Sequence, residues 1–271
     1  MCGKSEHPVV LSIAGTDSGG GAGIQADLKT MTALDAFSVS VLAALTAQNG
    51  AAVLGIHEVP VDFVLLQLRA VREGFPIKAA KTGMLASAPI IAALADALKE
   101  RDFPLVVDPV CVSQSGFRLL REDAEEAMRT RMAPLADVLT PNKPEAELLS
   151  GVAINSHADA CKALERLHSL GAKAVLLKGG HFEEQAGQET MTDWLSLPGQ
   201  APVAMAHPRV ETGNNHGTGC TLSSAIAVFL ARGLELQPAV AQAQAYLTRA
   251  LASSFNPGIG AGPPNFMGGR G

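Results

Sequence analysis

The chain has 271 residues, 47% of them hydrophobic and 17% charged, and its formal net charge is -5. The apolar share excludes a mainly disordered chain, and the length is within the range of one large α/β domain. Because the net charge is negative and lysine and arginine form no dense run, we expect no nucleic-acid partner.

Cysteine usage and the N-terminal residues predict a cytoplasmic protein without a membrane partner. The four cysteines, Cys2, Cys111, Cys161 and Cys220, form no C-x-x-C pair, so their spacing suggests neither a zinc site nor a disulfide framework. Free thiols are typical of a reducing compartment. Charged side chains interrupt residues 1–8, unlike in a signal peptide. No uncharged apolar run reaches the roughly 18 residues that a membrane span needs.

The N-terminal part of the chain alternates short apolar runs, which predict strands, with segments of helical spacing. The first predicted strand ends at a glycine-rich stretch, residues 15–23. A Gln-Asn-Gly turn at 48–50 separates the second strand from the third. Strands are predicted at residues 9–14, 37–45, 53–59, 77–82 and 105–108, and helices at 22–34, 61–72 and 88–100.

The C-terminal part continues the same alternation. Two segments, 192–197 and 203–206, are either edge strands or a hairpin. The end of the chain, from residue 256 on, is rich in glycine and proline and is expected to be loose. Strands are predicted at 138–140 and 174–178, and helices at 122–132, 143–149, 157–170, 218–231 and 238–254.

This alternation predicts a single-domain, three-layer α/β/α fold with a mainly parallel central sheet that helices cover on both faces. We expect the core at about residues 9–256, with 257–271 as the loose tail. Ligands of such sheets bind outside the carboxyl ends of the strands. Candidate site residues should therefore follow the predicted strand ends, which are residues 14, 82, 108, 140 and 178.

The strongest local signal is Gly-Thr-Gly-Cys at 217–220, directly before an Ala-rich helical segment. Backbone N–H groups at a helix N-terminus form an anion site, and glycine lets a phosphate approach the backbone closely. Taken alone, the same pattern is also that of a glycine-containing helix cap. Cys220 falls in the first helical turn, where a thiol pKa is expected to be lowered, although a lone cysteine is more often a small buried hydrophobic residue.

Gly-Thr-Gly-Cys resembles the signature turn of the ribokinase superfamily, in which G-x-G-[D/C] forms the anion hole and its last residue is the catalytic base. Together with residues 15–27, the cysteine variant is similar to the hydroxymethylpyrimidine/phosphomethylpyrimidine kinase family. Further segments match in the family's order, so that the resemblance spans about residues 9–256. They are Ala-Gln-Asn at 47–49, Lys-Thr-Gly-Met-Leu at 81–85, Asp-Pro-Val at 108–110, Thr-Pro-Asn-Lys-Pro-Glu-Ala at 140–146 and Lys-Gly-Gly-His at 178–181.

The resemblance implies that Asp27 and Gln48 hold a pyrimidine substrate. Asp27 can accept a hydrogen bond from a 4-amino group, and Gln48 can both donate to and accept from the ring. Met84 and Val110 would enclose the ring, and Gly15 would line the same pocket. Without the resemblance, Asp27 is equally a solvated or capping acid, Gln48 a turn residue, and the two apolar residues plain core.

The resemblance also implies sites for ATP and Mg²⁺. Lys178, Asn142, His216 and Asp108 would bind ATP, and Glu145 together with Asp108 would hold the metal ion. Mg²⁺ takes one or two carboxylates in addition to phosphate oxygens and waters, so this set is sufficient. Without the resemblance, Glu145 is a helix-capping acid and Lys178 a lysine that extends to solvent.

The implied activity is ATP-dependent phosphorylation of 4-amino-5-hydroxymethyl-2-methylpyrimidine, and then of its monophosphate to the pyrophosphate, in thiamine biosynthesis. The N–H groups of Gly217, Thr218, Gly219 and Cys220, with Mg²⁺ and Lys178, would stabilise the transferred phosphoryl group. Cys220 would accept the hydroxymethyl proton. The second acceptor is already anionic, so the base should matter less there.

The sequence alone leaves the substrate and the assembly open. A pyridoxal kinase of the same superfamily is the nearest alternative, because both substrates carry a hydroxymethyl group on a six-membered nitrogen ring. A nucleotide-binding protein without catalysis is another. The chain departs from the family pattern at Ser18, where proline is usual, at Gln114, where lysine is usual, and at Asn214-Asn215, where Asn-Thr is usual. The resemblance also suggests a homodimer, with contacts in a segment such as residues 61–68.

Overall fold

The structure of the protein is a computed structural model that describes residues 7–111, 122–179 and 188–269. Its strands are β1 (Val9–Ala14), β2 (Phe37–Leu42), β3 (Ala44–Gln48), β4 (Val53–Glu58), β5 (Ile77–Thr82), β6 (Leu105–Val107), β7 (Val138–Leu139), β8 (Val175–Leu177), β9 (Thr190–Ser196) and β10 (Val203–Pro208). Within the described ranges, eight of them form one sheet in the order β10-β9-β8-β7-β6-β5-β1-β2, and β3 pairs with β4 in a small second sheet.

Helices cover both faces of the main sheet. They are α1 (Gly23–Ala33), α2 (Val61–Gly74), α3 (Ala88–Leu98), α4 (Glu122–Ala127), α5 (Lys143–Ser150), α6 (His157–Ser169), α7 (Thr218–Ala231) and α8 (Leu236–Ala252). Helices α1, α7 and α8 share one apolar core with the sheet, and α2 to α6 share a second core on the opposite face. The predicted three-layer α/β/α architecture is therefore confirmed.

The alternation of side chains along β1 accounts for the two cores. Leu11 and Ile13 belong to the core under α2 and α3, whereas Val10 belongs to the core under α7, and all three are fully buried. Strand β1 pairs in parallel with β2 and β5, and the parallel arrangement continues through β8. Strands β9 and β10, which the sequence left open as edge strands or a hairpin, form an antiparallel pair at the edge of the sheet.

One predicted strand is two strands in the structure. The apolar run at 37–45 breaks at Ala43, whose N–H donates to Ala14 O and whose carbonyl accepts from Val59 N, each at 3.0 Å. These bonds turn the chain out of the main sheet, so that β3 pairs with β4 instead. The predicted turn at 48–50 consequently starts one residue later, since Gln48 is the last residue of β3.

The predicted helix at 122–132 is regular only in its first part. After α4 the backbone forms a π-helical turn, Met128–Met132, and then a short 3₁₀ turn, Ala133–Leu135. Both methionines are fully buried in the core under α3. Pro134 lacks the N–H that a continuing α-helix would need, which explains why the helical segment does not continue past Leu135.

The C-terminal tail, expected to be loose, is packed against the protein over residues 261–269. Pro263, Pro264 and Phe266 are buried, and the Tyr246 hydroxyl on α8 donates to the Phe266 carbonyl oxygen at 2.8 Å. Composition predicted a mobile segment because glycine and proline disfavour helices and strands. It gave no information on the long-range contacts that order the backbone without regular structure.

The carboxyl ends of β1, β5, β6, β7 and β8 meet along one edge of the main sheet, as the parallel arrangement requires. The residues that follow these strands are therefore brought together, although they are far apart in the sequence. No helix in the described ranges has both the length and the apolar character needed to cross a bilayer.

Candidate active site

A cavity of about 960 Å³ opens at this edge of the sheet. It extends from the loop after β1 to the start of α7 and on to the β9–β10 hairpin. Asp27 is the one predicted site residue that does not line it. The predicted residues that do are Gly15, Gln48, Met84, Asp108, Val110, Asn142, Glu145, Lys178, His216, Gly217, Thr218, Gly219 and Cys220.

The start of α7 forms a turn that can hold an anion. Gly217 precedes the helix with φ of 83°, in the left-handed region that favours glycine. A Cβ atom there would collide with the Gly21 carbonyl oxygen. After Thr218, the N–H groups of Gly219 and Cys220 belong to the first turn, where a helix provides no acceptor of its own. The alternatives of helix cap and anion site are thus compatible, because the same geometry serves both.

Three charged side chains lie beside this turn. Lys178 Nζ is 3.1 Å from Asp108 Oδ1 and 3.8 Å from Glu145 Oε2. A Cβ atom added to Gly219 would lie 3.4 Å from the same Nζ, so the ammonium group borders the turn. Burial opposes protonation of Lys178, but the two carboxylates outweigh it and raise the pKa of the lysine. The lysine is therefore a stable cation at the anion turn and does not extend to solvent.

Glu145 and Asn142 cap the start of α5 reciprocally. The Asn142 side chain accepts from Glu145 N at 2.9 Å, and the Glu145 carboxylate accepts from Asn142 N at 2.8 Å. The capping role that the sequence left open for Glu145 is thus confirmed. Burial raises the pKa of Glu145 to about 7; Lys178 acts against this rise, and Asp108 adds to it.

The pair Asp108 and Glu145 fits a cation that takes most of its ligands from elsewhere. Asp108 is 1% exposed and follows β6, and Glu145 is 6% exposed. In the part of the chain that the structure describes, no three His, Cys, Asp or Glu side chains group as a complete metal site. Two carboxylates beside an anion turn match the sparse protein ligand set of a phosphate-bound Mg²⁺.

Cys220 has a raised thiol pKa, not a lowered one. Enclosure by protein raises the pKa to about 11, although the Lys81 ammonium and the Gly23 N–H act in the opposite direction. The residue is half-buried in the cavity wall. The prediction of a lowered pKa is wrong because desolvation of the thiolate outweighs the helix N-terminus and the neighbouring cation.

Asp27 does not line the cavity, and its carboxylate is bound by other side chains of the protein. It is fully buried, and its carboxylate accepts from Ser12 Oγ at 2.5 Å, from Ser224 Oγ at 2.8 Å and from Lys81 Nζ at 2.8 and 2.9 Å. The expectation that Asp27 contacts the substrate ring directly is therefore wrong, because these donors already surround the carboxylate. The solvated or capping alternative is wrong for the same reason.

Lys81 is a site residue that the sequence analysis missed. It is fully buried yet lines the cavity, and its ammonium couples electrostatically to Asp27 and to Cys220. Burial opposes its protonation, but these negative groups outweigh burial and raise its pKa. The sequence does contain one indication of this role: Lys81 lies inside a strand of a sheet that helices cover on both faces. A lysine in such a strand needs a buried partner of opposite charge.

Asp17, also missed, organises the glycine-rich loop after β1. Its carboxylate accepts from the N–H groups of Gly19, Gly21 and Ala22 at 2.8 to 3.0 Å, and from His216 Nε2 at 2.8 Å. Burial would raise the pKa of Asp17, but the His216 hydrogen bond and these N–H groups outweigh it and lower the pKa. The His216 ring thus ties the loop to the anion turn.

The other end of the cavity is an apolar pocket. Met84 and Val110 pack in one cluster, and the Gly15 N–H donates to the Met84 carbonyl oxygen at 2.8 Å. The Gln48 side-chain amide faces no hydrogen-bond partner among the described residues and borders the cavity. Its backbone is fixed by Ser18 Oγ, which donates to Gln48 O and accepts from Gln48 N, both at 2.7 Å. An amide beside an apolar slot suits a flat, nitrogen-containing ring.

Two of the three positions that depart from the family pattern make hydrogen bonds in the structure. Ser18 supplies the hydroxyl that holds Gln48, a bond that proline could not make. The Asn214 side chain accepts from Gly262 N at 3.2 Å and so contacts the C-terminal tail. Gln114 and residues 180–181 lie outside the described residues.

Comparison with known proteins connects this site to one family. A profile of phosphomethylpyrimidine kinase matches residues 17–265. The hydroxymethylpyrimidine/phosphomethylpyrimidine kinase of Haemophilus influenzae is 44% identical over 257 residues, which are 94% of this chain and 95% of that protein. The thiamine biosynthesis bifunctional protein ThiED of Geobacter sulfurreducens is 48% identical over 259 residues, 95% of this chain. The chain spans 52% of that longer relative, about half of its length.

A solved structure agrees with the fold and has a nucleotide. The ADP complex of Bacillus subtilis pyridoxal kinase superposes with a TM-score of 0.86 at 33% sequence identity. The match covers 96% of this chain and 97% of that one.

Proposed function

The chain belongs to the phosphomethylpyrimidine kinase family and is a kinase, and we propose that it phosphorylates 4-amino-5-hydroxymethyl-2-methylpyrimidine and then the resulting monophosphate, with ATP as donor. The product is the pyrophosphate used in thiamine biosynthesis. One observation carries the proposal: Cys220 shares a single cavity with an apolar ring pocket on one side and an anion turn with Lys178 on the other.

The pocket at Gln48 supports a pyrimidine as the acceptor. The amide can donate to a ring nitrogen and accept from the exocyclic amine, and Met84 with Val110 can enclose the two ring faces. Asp27 acts indirectly in this proposal, by holding Lys81 at the cavity wall.

The anion turn and its neighbours support ATP as the donor. The N–H groups of Gly219 and Cys220 and the Lys178 ammonium would hold the terminal phosphate oxygens. Asp108 and Glu145 would hold Mg²⁺, which neutralises phosphate charge when bound. The mechanism is mainly positioning and charge stabilisation, since phosphoryl transfer has a loose transition state.

In the first step, the hydroxymethyl oxygen forms the new bond to the γ-phosphorus as the bond to the bridging oxygen of ATP breaks, and ADP leaves. The alcohol proton goes to the thiolate of Cys220. In the second step the attacking oxygen belongs to a phosphate and carries no proton that must be removed. The thiol pKa of about 11 means that the thiolate is a minor species in the free enzyme at neutral pH.

The two steps should therefore respond differently to pH. The thiolate fraction of Cys220 increases about tenfold per pH unit below the pKa, and the pKa of about 11 places the whole range from neutral pH to about 10 below it. We expect kcat/KM for the alcohol to rise with pH between about 7.5 and 9.5, while kcat/KM for the monophosphate changes little. The ratio of the two cancels groups that serve both steps, including Glu145. A ratio independent of pH would contradict Cys220 as the base.

Phosphorylation of pyridoxal is the second candidate function, favoured by the similarity to the B. subtilis pyridoxal kinase. An ADP-release assay with hydroxymethylpyrimidine, its monophosphate and pyridoxal distinguishes the two. We expect activity with both pyrimidines and a higher kcat/KM for the pyrimidine alcohol than for pyridoxal. A higher value for pyridoxal would replace the proposal, and nucleotide binding without ADP release on any of them would indicate a protein without catalysis.

We further propose that the chain is a homodimer. Val64 and Leu68, within the segment suggested by the sequence, are buried in the core, which leaves Phe63 and Leu66 on the outer face of α2 at 54% and 48% exposure. Leu54 on β4 is 77% exposed. Exposed apolar side chains of this kind favour a protein partner.

Light scattering tests this proposal and should give twice the chain mass of 28.0 kDa. The double variant Leu54→Asp with Phe63→Asp should give the mass of a single chain. A wild-type monomer would contradict the proposal.

A further inference from the structure

The C-terminal tail contacts two loops that border the active-site cavity. We propose that Gly260 is a positioning residue: through it, residues 259–262 set the distance between the ring pocket and the anion turn. The proposal rests on the proposed function, because it assigns the ring to one end of the cavity and the phosphate to the other.

The first contact of this segment is with the β3–β4 turn. Ala261 N donates to Gly50 O at 3.2 Å. The backbones touch so closely that a Cβ atom on Gly50 would collide with Ile259 O, and one on Gly260 with Gly50 O. Gly50 comes two residues after Gln48, so the segment fixes the turn that carries the ring-binding amide.

The second contact is with the residues just before the anion turn. His216 N donates to Gly262 O at 3.1 Å, and Gly262 N donates to Asn214 Oδ1 at 3.2 Å. His216 is followed directly by Gly217. Three consecutive residues, 260–262, therefore join the two ends of the cavity through backbone atoms.

The segment is anchored to a part of the protein that lies outside these two loops. Asn265 N donates to Ala250 O at 2.9 Å, and Arg249 Nε donates to Gly269 O at 3.1 Å. Both Ala250 and Arg249 belong to α8, which packs against α7. Helix α8 thus gives the segment a fixed position, from which it can hold both loops.

Two glycines in the tail form a matched pair for a test. Gly260 has φ of +79° and no room for a Cβ atom, whereas a Cβ atom on Gly258 would meet nothing within 4 Å. Alanine at 260 should therefore push the segment away from Gly50, because the contact is backbone to backbone and neither side can rotate away. Alanine at 258 adds the same methyl group without that effect.

The experiment compares Gly260→Ala with Gly258→Ala in the full-length chain. For Gly260→Ala we expect KM for hydroxymethylpyrimidine to rise by about tenfold, with faster backbone hydrogen exchange in peptides that cover residues 48–52 and 214–217. Gly258→Ala should match the wild type in both measurements. Loss of folded protein alone would lower kcat in proportion to the active fraction and leave KM unchanged, and that outcome would overturn the proposal.

A second variant keeps the test decisive if Gly260→Ala does not fold. Asn214→Ala removes one acceptor of the segment without adding atoms, and we expect a smaller rise in KM and faster exchange around residue 262. Wild-type KM and exchange rates in Asn214→Ala would overturn the proposal. If the wild-type protein released no ADP with either pyrimidine, the proposed function would fail, whereas the exchange comparison would still decide whether the segment holds the two loops.

Discussion

Replacing Cys220 by alanine is expected to slow phosphorylation of the hydroxymethyl alcohol by about 10²- to 10⁴-fold, the usual contribution of a positioned base. The alcohol must lose its proton as the new P–O bond forms, and Cys220 lines the cavity between the ring pocket and the anion turn. Phosphorylation of the monophosphate should fall by less than about tenfold, since its attacking oxygen is already anionic. Single-turnover rates of both steps on one enzyme preparation give the two ratios.

Cys161→Ala is the matched control for this experiment. Cys161 lies on α6, outside the cavity, with its Sγ 3.7 Å from His157 Nε2. Both steps should keep their wild-type rates in this variant. An equal loss of the two steps in Cys220→Ala would contradict the assignment of the base and would leave the thiol with a structural role at the start of α7.

Replacing Lys81 by methionine is expected to lower the free energy of unfolding by about 3–5 kcal/mol, as for other buried ion pairs that lose one partner. Lys81 Nζ lies 2.8 Å from Asp27 Oδ1, and both side chains are fully buried. Removal of the ammonium would leave the Asp27 carboxyl group without its cation inside the core, which is costly for a buried group. Urea unfolding followed by circular dichroism measures the change.

Two further variants separate stability from catalysis. The double variant Asp27→Asn with Lys81→Met removes both charges. The amide oxygen can accept from one of the Ser12 and Ser224 hydroxyls and the amide NH₂ can donate to the other, so most of the stability should return. The rate of the double variant with the alcohol should stay low, because the Cys220 thiolate has lost a neighbouring cation. Lys173→Met breaks a pair at the surface, where the lysine is 72% exposed, and should change stability little. If Lys81→Met had the wild-type free energy of unfolding, the claim that the buried pair stabilises the core would be contradicted.

The layers of the fold could be predicted because they depend on local patterns. Alternating strands and helices require a mainly parallel sheet, and that sheet brings the residues after its strand ends to one edge. The break at Ala43 could not be predicted, because residues 37–45 form one continuous strand-like run. It depends on bonds to Ala14 and Val59, which only the folded chain brings together.

The site divides in the same way. Lys178 and Asp108 were predictable because each directly follows a strand that ends at the cavity edge. The role of Asp27 was not, since it depends on Lys81 and Ser224, which are 54 and 197 positions away in the sequence. The thiol pKa of Cys220 was predicted in the wrong direction because local sequence shows the helix start but not the desolvation that opposes it.

The tail shows a further limit of composition. Glycine at 260 and 262 indicates the absence of helix and strand, and that part of the prediction holds. Gly260 nevertheless lets the tail pack tightly, because glycine allows the close backbone contact with Gly50. A Gly/Pro-rich segment can therefore be either loose or tightly packed, and only its partners distinguish the two.

The most direct test of the central claim is a crystal structure with hydroxymethylpyrimidine and a non-hydrolysable ATP analogue. We expect the ring between Met84 and Val110, the terminal phosphate at the N–H groups of Gly219 and Cys220, and the hydroxymethyl oxygen about 3–3.5 Å from the Cys220 sulfur. A ring bound away from Gln48, or a sulfur that faces neither the alcohol nor the phosphate, would contradict the account.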